Sequence, residues 1–448
     1  MKPNIVVVVV DTLRPDHLGC YGYSRPTSPW IDALAAESLV FERAFAAGIP
    51  TTPSFTTLLT GLHPYRHGVV THPGSRHLSE DILLLPQIAK SGGYVTAACD
   101  NLVVQGSGRG TWFARGYDHY SGFLYTPFGD QSTQLTDRAL EIVRRQRDRP
   151  LFLFMHYWDP HTPYGPMPPY DTMHWEPGSG PVDLADVRAI HPDYYDAFIA
   201  DMDLRHPDDY AYVVAQYDGE ISQVDAQIGR LVEGMQELGS WWDDTAFLLV
   251  SDHGECFGEG GLYFDHHGLY DAVTRIAMLL RLPSGGHGRV GRLVSQEDVL
   301  PTLCRLGGLD LPPYPLTGHD LLERSAPRER TYVVSTECTR QASIALRTES
   351  EKLILPIVED ADGRAVPDFY GRPRSPDPLL FDVGSDPAES VNLAESKPER
   401  VQELRGFLEG WRADMLGPDG PDPLLTQPLT LPYAQFMRRV LDRHSRRR

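Results

Sequence analysis

The chain has 448 residues, enough for one large or two unequal domains, and its apolar content of 41% is ordinary for a globular protein. A net charge of −20 argues against a nucleic-acid or anionic-membrane partner, either of which needs a basic surface. No stretch approaches ~20 consecutive apolar residues, so nothing reads as a membrane span.

Residues 4–10 form a β-branched apolar run closed by Asp11. It is too short for a secretory signal core and reads as a buried parallel strand. Further strands are predicted at 94–98, 151–156, 246–251 and 277–281, with helices between them at 30–41, 56–60, 132–147, 209–238 and 296–306. On the long helix, Asp218, Glu220 and Asp225 read as solvated or cap-forming. Residues 157–207 are rich in Pro, Asp, Tyr and His without periodicity, and read as a lid or insertion loop. Proline clusters at 312–318 and marks a boundary. It divides a catalytic domain, 1–312, from a small C-terminal α+β subdomain, 313–448, with strands at 331–335, 342–347 and 352–355 and a helix at 398–415. The basic tail from Arg438 to Arg448 reads as a solvated helix end.

Strands alternating with helices predict an α/β fold of three layers, α/β/α, around a mostly parallel sheet. Sites in such sheets form at the carboxyl ends of the strands. The five cysteines are odd in number and follow no framework spacing, so reduced thiols and a cytoplasmic setting are expected.

Asp11, the segment from His156 to His161, and the pair Asp252-His253 each fall just past a predicted strand. Any one of these acids alone reads as a helix cap; together they read as a metal site. Two carboxylates and an imidazole suit Zn²⁺ or Mn²⁺, while an all-oxygen set suits Ca²⁺ or Mg²⁺.

Five blocks carry a family resemblance. Thr51-Thr52-Pro53-Ser54-Phe55, leading into Leu59-Thr60-Gly61, resembles the signature in which sulfatases oxidise a Cys or Ser to the formylglycine nucleophile. Val10-Asp11-Thr12 through Tyr21-Gly22 resembles their amino-terminal block, and Ser251-Asp252-His253-Gly254-Glu255 their second metal block. Leu269 to Arg275 and Leu380 to Leu393 resemble the later blocks, in the same order. On these the chain is identified as a member of the sulfatase branch of the alkaline phosphatase superfamily. The resemblance implies that Asp11, Asp252 and His253 bind the metal, with Thr51 as both ligand and nucleophile. His161, in Asp159-Pro160-His161, matches a histidine that contacts substrate or protonates the leaving group. His72 stands where many relatives place an asparagine facing the substrate. His67 is as open to a structural role as to a substrate contact.

The departures share a direction. Thr12 replaces a frequent second aspartate, Phe55 replaces the signature arginine, and the two sulfate-holding lysines are absent around Asn101 and around Asp265-His266-His267. His266 or His267 is open to binding the anion, or to joining Asp159 and His161 in a second metal site. Ser251 to Tyr263 also resembles the metal block of phosphoethanolamine transferases, which use a threonine nucleophile. Oxidising a threonine gives a ketone, so no formylglycine is expected. A threonine phosphate ester is hydrolysed by metal-activated water, whereas a threonine sulfate ester lacks the aldehyde exit. These points favour a small phosphate or phosphonate ester substrate, including phosphodiesters, with His161 or His267 as general acid. A sulfuric ester hydrolase, a phosphotransferase and an inactive anion-binding homologue are the other readings; substrate and oligomeric state are not legible.

Overall fold

The computed structural model describes residues 2–72, 77–100, 111–122, 131–176, 210–323, 330–339, 341–367, 373–417 and 420–426. The first strands are β1 (Asn4–Val10), β2 (Leu39–Phe45), β3 (Gly48–Ile49), β4 (Val95–Cys99), β5 (His119–Ser121), β6 (Leu151–Tyr157), β7 (Thr245–Ser251), β8 (Cys256–Phe257) and β9 (Tyr263–Asp265). After them come β10 (Arg275–Ile276), β11 (Met278–Arg281), β12 (Gly288–Ser295), β13 (Tyr332–Cys338), β14 (Ala342–Thr348), β15 (Glu351–Ile357) and β16 (Leu379–Asp382).

The central sheet has nine strands in the order β10-β2-β11-β7-β1-β6-β4-β5, with β12 paired to β2. Strand β1 lies at its centre, parallel to both β6 and β7. Its unbroken apolar run fits that position, because both faces are covered. Ile5, Val7 and Val9 enter one core with Phe55, Leu58 and Leu300. Val6, Val8 and Val10 enter the opposite core with Leu135, Ile221 and Val224. Those partners belong to helices α2 (Thr51–Thr60), α3 (Gln131–Arg145), α4 (Tyr210–Gln236) and α5 (Val299–Gly307), and with α1 (Pro29–Ala36), whose Ile31 and Leu34 join the second core, they complete the three predicted layers.

Three sequence expectations are corrected. The helix expected over 30–41 stops at Ala36, and Leu39, Val40 and Phe41 begin strand β2. There β-branched and aromatic side chains are recruited by pairing with β11 and β12, so tertiary context overrides the helical period. The helix expected from residue 56 begins at Thr51. Asp218, Glu220 and Asp225 are buried, not solvated. Asp218 pairs with His17 and Arg25, while Asp225 accepts the amide N–H groups of Trp30 and Ile31 at the start of α1. Asp225 therefore caps a helix, but one across the core from its own. The basic tail and residues 177–207 of the expected lid lie outside the described residues.

A second sheet, β16-β15-β14-β13-β3, takes its edge strand from Gly48–Ile49, immediately before the signature. Helix α6 (Pro398–Leu416) packs on this sheet through Val401, Leu404 and Leu408. One buried lysine also ties the sheet to the central domain. Lys352 Nζ on β15 lies 2.7 Å from Asp271 Oδ1 and 3.0 Å from Glu389 Oε1, with only 1% of its side chain exposed. Removing Lys352 leaves the buried Glu389 without its counter-charge, while Asp271 keeps Arg347, and a broken buried pair costs about 3–5 kcal/mol. Lys352→Ala is therefore expected to lower the unfolding free energy in urea by that amount, while Glu351→Ala at the half-exposed neighbouring pair with Arg400 costs under about 1 kcal/mol.

Candidate active site

Parallel pairing brings the sequence-distant groups together. Strand β1 ends at Val10 opposite Tyr157 and Ser251, so Asp11, the end of β6 and Asp252-His253 emerge side by side. Asp11 N–H donates to the Tyr157 carbonyl at 2.9 Å. The turn after Asp11 places Thr12 in the left-handed region at φ 52°. That conformation costs roughly 1–2 kcal/mol for a residue with a Cβ. It is held because the Thr12 N–H donates to Asp252 Oδ1 and the Thr12 carbonyl accepts the Tyr217 hydroxyl. Gly254 follows the metal block because a Cβ there would fall 2.1 Å from the Ala272 carbonyl oxygen.

Asp11, Asp252 and His253 are fully buried and offer ligand atoms within 4.8 Å of one another. The His253 Nδ1 faces the Gly254 carbonyl at 3.0 Å, which directs Nε2 into the group. Thr51 Oγ1 lies 3.4 Å from that Nε2. Thr51 is the first residue of α2, with Pro50 in the cap position, so it stands where helix N–H groups lack intrahelical acceptors. Ser54 fixes this helix end: its hydroxyl donates to the Asp252 carbonyl at 2.9 Å and accepts from Gln296 at 2.8 Å.

The donor set fits a divalent cation. Asp11 Oδ1 and Asp252 Oδ2 are buried without a hydrogen-bond partner, which is costly unless a cation satisfies them. Burial, and then the charge of Asp11, push the Asp252 carboxyl up to about 6. Burial also raises Asp11, but His156, His161 and His253 outweigh it and hold Asp11 below the usual carboxylate range.

His156 was not singled out from the sequence as a site residue. Its Nε2 lies 3.2 Å from Asp11 Oδ2 and its Nδ1 2.8 Å from Asp100 Oδ1. Burial opposes its charge, yet these two hydrogen bonds raise its pKa to about 10. A charged imidazolium thus bridges two acids behind the metal group. The register that sets His156 opposite Val9, beside Asp11, was the available signal. The Phe55 ring packs edge-on at 4.9 Å from His156 and 5.7 Å from Phe154. Phe55→Arg restores the signature arginine but buries a cation beside a charged histidine. It is expected to cost at least about 3 kcal/mol in urea unfolding and to confer no sulfate ester turnover.

Other histidines named from the sequence are placed as follows. His72 Nδ1 lies 2.5 Å from Thr52 Oγ1, next to the nucleophile position. The His161 ring sits 4.9 Å from Trp158 and 4.8 Å from His266, and the His266 ring stacks on His253 at 4.8 Å. His67 is structural: its Nε2 faces Thr57 Oγ1 and its Nδ1 accepts the Val69 N–H. Of the second metal set raised by the sequence, Asp159 accepts from Gln223 at 3.3 Å, and the group the structure assembles around His267 is Asp265, His266 and His267. His267 Nδ1 lies 2.8 Å from Thr339 Oγ1, and Glu337 Oε1 accepts the Gly268 N–H. Strand β13 therefore reaches the site from the second sheet, and neither Glu337 nor Thr339 was foreseen. Asn101 lies outside the described residues.

With this geometry in place, the family is decided by one match: the sulfatase family model fits residues 3–309. The chain belongs to the sulfatase family. It is an ester hydrolase of the alkaline phosphatase superfamily, and its members use a divalent metal. It is 24% identical over 378 residues to the uncharacterized sulfatase YidJ of Escherichia coli strain K12, covering 73% of this chain and 72% of that one. It is 25% identical over 509 residues to the multifunctional alkaline phosphatase superfamily protein PehA of Trinickia caryophylli, covering 92% and 95%. The solved phosphonate monoester hydrolase of Agrobacterium radiobacter superposes with a TM-score of 0.71 at 22% identity, covering 93% of this chain and 96% of that one. No described helix of this sulfatase-family chain is long and apolar enough to cross a membrane.

Proposed function

We propose that this sulfatase-family hydrolase cleaves small phosphate or phosphonate esters through Thr51. The observation that carries the reading is the Thr51 hydroxyl, at a helix N-terminus and 3.4 Å from His253 Nε2 in the metal group, at the position where sulfatases carry an oxidised Cys or Ser. Asp11, Asp252 and His253 hold the divalent ion, with Thr51 as a further ligand. The ion supplies a lowered hydroxyl pKa and charge neutralisation at the phosphoryl oxygens.

Thr51 Oγ attacks phosphorus after losing its proton to solvent. A Thr51 Oγ–P bond forms as the bond from phosphorus to the ester oxygen breaks. The leaving oxygen takes a proton from His161. The Nδ1 of that ring donates to the Thr162 carbonyl, which leaves Nε2 as the atom that exchanges a proton. Water then attacks phosphorus and gives a proton back to His161 as the Thr51 Oγ–P bond breaks; Thr51 Oγ regains its proton from solvent and the acid is released. His72, beside Thr52, and His266, stacked on His253, orient the anion. Support for phosphorus over sulfur comes from the missing arginine and lysines, and from the exit problem of a threonine sulfate ester.

The test is a panel of aryl phosphate, aryl phosphonate, phosphodiester and aryl sulfate with Mn²⁺- or Zn²⁺-loaded protein. The reading expects kcat/KM for a phosphorus ester to exceed that for the sulfate. Preference for the sulfate overturns it, and product appearing on an added alcohol in place of free acid makes the chain a transferase.

A further inference from the structure

Strand β13 of the second sheet serves two parts of the site through one residue. At Glu337 its backbone pairs in parallel with Ile49, two residues before Thr51. The same segment is pinned by the Thr336 N–H on the Ala47 carbonyl at 3.0 Å and by the Ser335 hydroxyl on the Ala46 carbonyl at 2.6 Å. The Glu337 side chain, fully buried, reaches instead the chain that follows hairpin β8–β9. Its Oε1 accepts the Gly268 N–H at 2.9 Å, and the Gln341 amide donates to its two oxygens at 3.2 and 3.0 Å. Gly268 stands in the left-handed region at φ 87°, where a Cβ would fall 2.8 Å from Leu262 Cδ1. The carboxylate thus fixes a turn that glycine alone makes without strain.

From Glu337 a chain of contacts runs to His266. Thr339 Oγ1 lies 3.3 Å from Glu337 Oε1 and 2.8 Å from His267 Nδ1. His267 Nε2 lies 3.0 Å from Asp265 Oδ1. A carboxylate only accepts, so this Nε2 carries a hydrogen toward Asp265, and proton delivery to the leaving group stays with His161. Asp265 Oδ1 in turn accepts the His266 N–H at 2.8 Å. His266 Nδ1 is buried and has no hydrogen-bond partner among the described residues. Its ring is placed by stacking on His253 and against His161, each at 4.8 Å, and by a backbone that Asp265 holds.

We propose that Glu337 and Thr339 are positioning residues for the ester's anion: through His267 and Asp265 they set the His266 ring, while the Glu337 backbone holds the strand that leads into Thr51. The inference rests on reading His266 as a group that orients the anion; it does not depend on phosphorus being the reacting atom. The second sheet is in this way part of the site. A shift of β13 moves the anion-orienting ring and the nucleophile together, because both are tied to Glu337.

The experiment measures the dissociation constant of inorganic phosphate by calorimetry on the full chain loaded with Mn²⁺ or Zn²⁺, with KM and kcat for the ester turned over fastest. Thr339→Val keeps the shape and removes the hydroxyl, whereas Thr339→Ser keeps the hydroxyl. A group misplaced by about 1 Å costs up to about a hundredfold, so Thr339→Val and Glu337→Gln are expected to weaken phosphate by at least about tenfold and to raise KM more than they lower kcat. Thr339→Ser is expected to restore most of that affinity. In a His266→Ala background Thr339→Val is expected to add less than about twofold, because both changes act on one ring. Wild-type affinity and KM in Thr339→Val and Glu337→Gln overturn the positioning role. So does a serine variant as weak as the valine, or a full repeat of the valine loss in the His266→Ala background. If Thr339→Val fails to fold, Glu337→Gln carries the same comparison. His266→Ala alone tests the reading beneath. Wild-type phosphate affinity and turnover there remove His266 from the anion site, whereas a weak His266→Ala beside a wild-type Thr339→Val sinks only the positioning role.

Discussion

Thr51→Ala is expected to abolish phosphorus-ester turnover, by about four orders of magnitude or more, while leaving the fold and the bound metal in place. The size follows from the role. Removing a covalent nucleophile costs nearly the whole of the chemical acceleration and leaves only what binding and charge stabilisation supply. The loss belongs in kcat, because the hydroxyl forms its bond to phosphorus only as the reaction proceeds. Thr51→Ser keeps the hydroxyl and sheds a methyl group from a buried position, so it is expected to stay within about tenfold of the wild type in kcat. Helix α2 is held independently, through Ser54 on the Asp252 carbonyl and through Phe55 and Leu58 in the core, so neither variant removes an anchor of the helix. Rapid quenching with a labelled phosphoester and mass spectrometry should find the phosphoryl group on Thr51 in the wild type, on the substituted serine in Thr51→Ser, and nowhere in the alanine variant. An alanine variant with a tenth or more of the wild-type kcat would sink the nucleophile assignment, whatever the metal content.

What the sequence disclosed follows from how local the signal was. Val6 to Val10 are β-branched and apolar without interruption, a pattern that fits a strand covered on both faces, and β1 is that strand. Asp11, Thr51, Asp252 and His253 each lie in a contiguous block with a family resemblance, and the structure brings all four together. The residues given no role of their own act across strands and sheets. His156 is tied to Asp11 by parallel register, and Asp100 joins it from the end of a third strand. Glu337 and Thr339 arrive from a sheet whose edge strand, Gly48–Ile49, is too short to carry a periodicity. The buried acids on α4 misled for a related reason: a helix with charged residues on one face looks solvated until its partners, His17 and the amides of α1, are known. Asp225, pushed up to about 7 first of all by burial, belongs to that structural group rather than to the site.

Asp252→Asn is expected to invert the usual relation between stability and function. In metal-free wild type, Asp252 has a folded pKa of about 6, above its value near 3.9 in an unfolded chain. Below pH about 4 the carboxyl is protonated in both states and carries no penalty. As pH rises from about 4 through about 6, the folded state must accept a buried charge beside Asp11, and stability is lost. An amide cannot ionise, so metal-free Asp252→Asn should match the wild type near pH 4 and exceed it above pH about 6. Asp225 and Glu220 titrate in both proteins and cancel in the comparison. Adding Mn²⁺ or Zn²⁺ should reverse the order. An ion that binds only the folded chain adds about 2.7 kcal/mol at a hundred times its dissociation constant, and the wild type should gain that where the variant gains far less. Turnover by the variant should fall by at least about three orders of magnitude, because the nucleophile's hydroxyl is no longer acidified. Thermal melts of both proteins across this pH range, with chelator and with metal, separate the two effects. A metal-free variant less stable than the wild type at pH 7 would show that the Asp252 charge is already compensated by protein groups. In that case the unpartnered oxygens of Asp11 and Asp252 no longer argue for a cation, and the metal-assisted route for Thr51 falls with them.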